Sequence, residues 1–85
     1  MIVQDKNLLE LIKVIRNLKS DSELQEFFKG ILTPKELLEI PLRLQIVKQL
    51  KQGKSQREIV ESLGVGIATV TRGSKELLLG RFQNV

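Results

Sequence analysis

Residues 55–77 read SQREIVESLGVGIATVTRGSKEL, and their types and spacing suit contact with a nucleic acid. Ser55 can accept from the backbone N–H of Glu58 while Glu58 reaches back to the amide of Ser55, the reciprocal pattern that opens a helix. Ile59 and Leu63 then mark one apolar face, and Gly64 can take the left-handed conformation that closes a helix. Val65 and Gly66 turn a tight corner, and a second helix starts near Ile67. Ile67-Ala68-Thr69-Val70-Thr71-Arg72 places small and hydroxylated residues where close approach to base edges is needed. Helix, glycine turn, helix is the plan of a helix-turn-helix, whose second helix enters the DNA major groove. Reading of duplex DNA is the function this pattern supports first.

Composition narrows the alternatives. A chain of 85 residues permits one small domain, and at this size oligomerisation is a common source of added stability. Apolar residues make up 41% and aromatics 4%, so the core must be aliphatic. There is no Cys and no His, which excludes disulfides, thiolate nucleophiles, imidazole bases and Cys/His zinc sites. No signal peptide is expected, because the start lacks a basic residue followed by an apolar run. No stretch approaches the roughly 20 apolar residues of a membrane span, so the expected location is cytoplasmic. Residues 1–40 hold six Lys/Arg against seven Asp/Glu, and residues 41–85 hold eight against three. The positive half is the half with the helix pair, as contact with phosphates requires.

Six helices and no strands are expected, in one domain over 1–85 with a helical dimerisation core at 1–53 and the helix-turn-helix at 54–79. Leu8, Leu11, Ile12, Ile15 and Leu18 share one face of the first helix, widened by Leu9 and Val14. Ser20 with Glu23 is read as a capping box for a second helix, closed by Gly30. Thr33-Pro34-Lys35-Glu36 starts a third, with Thr as N-cap and Pro at the first helical position. Pro41 is expected to end that helix near Ile40 and to open a fourth, which carries Leu42, Ile46, Val47 and Leu50 to Gly53.

Ile31-Leu32-Thr33-Pro34, Ser55-Gln56-Arg57-Glu58 and the block from Leu63 to Ser74, LGVGIATVTRGS, resemble the tryptophan operon repressor family. The resemblance covers about residues 31–77. It implies an intertwined all-helical homodimer that binds operator DNA when an amino-acid corepressor, L-tryptophan in the family, is bound. No prosthetic group, metal or membrane partner is implied. Arg43 and Arg72 match the arginines that sandwich the indole ring, where a flat guanidinium stacks on an aromatic face. From residue type alone Arg43 reads first as an ordinary solvent-facing helix residue, and it is the resemblance that favours the ligand role. Thr33 matches a contact to the ligand carboxylate from the other subunit, and its reading as a plain N-cap is compatible with that. Gly30 and Leu32 match backbone acceptors for the ligand ammonium, and Gly73 and Glu76 fall within the matching ligand set.

On the DNA side Arg57 matches an arginine that reaches a guanine, a pairing worth roughly 1–3 kcal/mol of base discrimination. Gln56, Gly66, Ile67, Ala68, Thr69 and Thr71 match the family's DNA face, where amides, hydroxyls and a helix N-terminus meet phosphates. Lys54, with Lys48 and Lys51, adds sequence-blind phosphate attraction or simple solubility. Val70 is expected in the core and Ile67 on the surface.

The chain departs from the enteric pattern at four places. The loop Gly53-Lys54-Ser55 is one residue shorter, Glu76 replaces a serine that bonds the ligand ammonium, Pro41 stands just before Arg43, and residues 80–84 do not read as the further helix the family carries. Two other functions fit the same residues: a ligand-independent DNA binder of the same fold, and a helical module whose basic half docks an acidic protein. An enzyme is not expected, since no phosphate-cradling loop is present and Gly64-x-Gly66 lacks the further glycine and strand of a nucleotide fingerprint.

Overall fold

Pro41 does not end the third helix. The computed structural model describes residues 3–85, and over them the chain forms five α-helices and no strand. They are α1 (Val3–Asn17), α2 (Asp21–Ile31), α3 (Pro34–Lys51), α4 (Gln56–Leu63) and α5 (Ile67–Leu78). The all-α expectation holds, and the count of six is corrected to five because α3 carries Pro41 in its interior. A proline inside a helix forfeits its own N–H bond, here the one to the carbonyl of Leu37, and crowds that turn. The helix continues because its later half is anchored in the core by Ile46 and Val47.

The chain divides into two compact units that meet at residues 34 and 35. In the first, α1 turns Leu11 and Ile15 inward to half-burial, while Leu8, Leu9, Ile12 and Val14 stay exposed. Ser20 caps α2 by accepting from the amide of Glu23 at 3.2 Å. The return half of the expected capping box lands one residue earlier: the Glu23 carboxylate accepts from the amide of Lys19 at 2.6 Å. Gly30 lies within α2, which ends when the amide of Leu32 bonds the carbonyl of Phe28.

The second unit holds the core. Ile46 of α3, Ile59 of α4 and Val70 of α5 are almost completely buried and form one cluster, against which Leu50, Val60, Leu63 and Val65 pack. Each helix therefore contributes a fully enclosed β-branched residue to the cluster, α3 burying Val47 as well, and the Val70 expectation holds. Gly73 lets α5 approach α3 closely, since a Cβ there would stand 3.1 Å from Cγ2 of Ile46. Both α3 and α5 end in the same left-handed device. At α5, Gly80 has φ +86°, its amide bonds the carbonyl of Leu77 and the amide of Arg81 bonds the carbonyl of Glu76. Residues 80–84 form turns and not a helix. The Lys51 ammonium holds this tail to α3 by donating to the carbonyls of Phe82 and, at 2.7 Å, Val85. None of the described helices is long and apolar enough to cross a membrane.

Charge follows the same division. Residues 1–34 hold five Lys/Arg against five Asp/Glu, whereas residues 35–85 hold nine against five. The whole formal charge of +4 thus belongs to the unit built from α3, α4 and α5.

Candidate ligand cleft and nucleic-acid interface

A cleft of about 480 Å³ opens within the second unit, with Arg43 on its α3 side and Arg72, Gly73 and Glu76 on its α5 side. This volume falls in the range of small-molecule sites, which combine apolar walls with a few placed polar groups. Leu44, Val47 and Phe82 are among the apolar walls, and the charged side chains of the lining are three guanidinium groups, of Arg43, Arg72 and Arg81, and the carboxylate of Glu76. The structure thus brings together four of the six residues expected to hold a corepressor. Leu32 and Thr33 belong to the first compact unit and are not lining residues.

Arg81 and Phe82 escaped the sequence reading. They reach the cleft because the left-handed turn at Gly80 folds the chain back, so that Arg81 lies over the residue five positions before it. Its Nε donates to Oε1 of Glu76 at 3.1 Å. The signal available in sequence was a glycine just past the last periodic position of α5, the usual mark of this helix ending.

The expected DNA-facing residues lie on α4, α5 and their flanks. The α4 start is built as the sequence predicts: Ser55 accepts from the amide of Glu58 at 3.1 Å, and the Glu58 carboxylate accepts from the amide of Ser55 at 2.9 Å. These two bonds, with a smaller contribution from Lys54, hold the Glu58 carboxyl below the ordinary carboxylate range. Gly64 closes α4 at φ +67°. Gly66 is the N-cap of α5 and offers no side chain to its first amides, leaving donors at a positive helix end.

Lys54, Arg57, Ile67 and Ala68 are exposed, Ile67 as expected, while Thr69 is half-buried. Gln56 and Thr71 are tied to each other: the Thr71 hydroxyl donates to Oε1 of Gln56 at 2.9 Å. Thr69 also lines the cleft, so a single turn of α5 borders both the ligand side and the exposed N-terminal end. Among the described residues no group of three or more Asp and Glu is placed to hold a metal ion.

Comparison with known proteins gives a consistent result. The family model described as Trp repressor protein matches residues 6–83. A Trp operon repressor homolog of Vibrio campbellii is 37% identical over 73 residues, covering 85% of this chain and 73% of its own. A second, from Photobacterium profundum, is 39% identical over 69 residues, covering 80% of this chain and 67% of its own. No solved structure matches the chain significantly.

Proposed function

Since the chain belongs to the Trp repressor family, a family of transcriptional regulators and not of enzymes, we propose that it represses transcription as a homodimer whose operator binding requires L-tryptophan. The observation that carries this reading is the cleft whose lining includes both Arg43 and Arg72. Two guanidinium groups bordering an apolar cleft suit a flat aromatic ring, and either can fork onto a carboxylate.

The link from ligand to DNA runs along α5. From its middle onward it carries Arg72, Gly73 and Glu76 of the cleft, and its first five residues include Ile67, Ala68, Thr69 and Thr71 of the DNA face, Thr69 lining the cleft as well. A ligand wedged between Arg43 and Arg72 fixes the pose of α5, so the state competent for two successive major grooves gains population. The shift can be no larger than the ligand's preference for that state. Arg57, at the exposed start of α4, is the proposed base reader, and Gln56, Gly66 and Lys54 serve phosphates.

Apolar surface supports the homodimer. Leu38 on α3 is 72% exposed, with Ile40 and Leu44 also exposed, and α1 leaves Leu8, Leu9 and Ile12 in solvent. A helix apolar on every side needs more cover than a single small chain supplies. In the proposed dimer the partner completes the ligand site with Leu32 and Thr33.

The test is equilibrium binding of a labelled palindromic operator duplex with and without L-tryptophan. We expect affinity to rise about tenfold or more, within the usual 1–3 kcal/mol of coupling between sites. Equal affinity in both conditions refutes the corepressor role, and absence of binding even at low salt refutes the DNA role.

A further inference from the structure

The geometry points to Arg81 as a built-in competitor of the ligand's ammonium group for the Glu76 carboxylate. This rests on the proposed reading of the cleft as an amino-acid site. Glu76 is the one acidic side chain among the cleft-lining residues, beside three arginines, so it is the cleft side chain able to attract a primary ammonium. It is already engaged, since Nε of Arg81 donates to its Oε1 at 3.1 Å.

The pairing is built into the backbone. The turn at Gly80, with the amide of Arg81 on the carbonyl of Glu76, keeps the guanidinium beside the carboxylate. Lys51 fastens the rest of the tail through the carbonyls of Phe82 and Val85. A group tethered this close acts at high effective concentration. An incoming ammonium must share the carboxylate with a cation already there or displace it.

Displacement is feasible because the pair is weak. The Arg81 side chain is 65% exposed and that of Glu76 33%, and exposed ion pairs contribute little net free energy. Arg81 therefore tunes the affinity for a zwitterion without closing the cleft, and it selects against ligands whose cationic group is less well placed. When the ammonium takes Glu76, the guanidinium swings to solvent.

The experiment compares L-tryptophan with indole-3-propanoate, which lacks only the ammonium, by calorimetric titration of the full chain. The readout is the ratio of the two affinities, which cancels any general change in the attraction for the carboxylate. Arg81→Gln is expected to shift the ratio toward L-tryptophan by about two- to fivefold, the range set by an exposed ion pair. Glu76→Gln is expected to shift it the other way, and in that background Arg81→Gln should have no further effect. An unchanged ratio in Arg81→Gln, or the same shift with Glu76 already replaced, overturns the inference while leaving the ligand reading intact. Failure of the unsubstituted protein to bind either compound overturns both.

Discussion

The Thr71 hydroxyl donates to Oε1 of Gln56 across 2.9 Å, joining α5 to the first turn of α4. Both residues were expected to face DNA, and each is half-buried, so their polar ends serve each other before any phosphate arrives. Thr71→Val should lower stability by about 1 kcal/mol, the net worth of one such bond with its acceptor left unpaired. Gln56→Leu should weaken operator binding to a similar degree as Thr71→Val, and the double substitution should weaken it little more than either alone. Fully additive losses in DNA affinity would mean that the two side chains contact DNA independently.

The α4 start makes a prediction about acid. The Glu58 carboxyl is held low chiefly by the backbone amide of Ser55, then by the Ser55 side chain, so its folded pKa lies below the ordinary value of 4.5. A depressed pKa stabilises the folded state fully above the unfolded value, and the contribution disappears as pH falls through the folded one. Thermal melts should therefore separate the natural chain from Glu58→Gln at neutral pH and converge as pH drops below about 4.5. A gap that stays constant down to strong acid would show that Glu58 acts by shape alone.

Gly73 sets how near α5 can come to α3. An added Cβ would lie 3.1 Å from Cγ2 of Ile46, a residue 1% exposed and therefore unable to move aside freely. Gly73→Ala gains up to about 1 kcal/mol of helix propensity, but overpacking a closed core costs roughly 1–3 kcal/mol. The second effect should prevail, lowering the urea midpoint and weakening ligand binding, because Gly73 also lines the cleft. A higher midpoint would show that Ile46 has room to yield.

Features legible in the sequence were those fixed within a few residues. Ser55 and Glu58 form their box, and Gly64 takes the left-handed corner, because these outcomes depend on adjacent backbone groups. Pro41 was misread for the same reason: a local rule disfavours helix before proline, and burial of Ile46 and Val47 further along α3 outweighs it. Arg43 and Arg72 share a cleft, yet no periodicity links residues so far apart, and only the family resemblance suggested it. Arg81 and Phe82 were missed because they follow the last periodic turn, where hydrophobic pattern is silent and Gly80 alone marks the reversal.

Two arginines of the second unit should separate the two proposed activities. Arg57 is exposed at the start of α4, outside the cleft lining, whereas Arg43 lies within it. Removing Arg57 takes away a fork of donors for one base pair and one positive charge. Operator affinity should then fall by roughly 1–3 kcal/mol, with L-tryptophan affinity retained. Arg43→Ala should do the reverse: ligand binding falls, and operator binding recovers when ligand is raised to saturation. Because the chain has no Trp or Tyr, ligand fluorescence reports the first quantity without background, and anisotropy of a labelled duplex reports the second. Lys54→Ala provides the control for charge alone, since losing one phosphate contact should make the slope of log affinity against log salt shallower by about 0.9 for any duplex sequence. If Arg57→Ala matched Lys54→Ala, with equal losses on operator and random duplexes, Arg57 would be another phosphate contact and the base reader would have to be sought along α5.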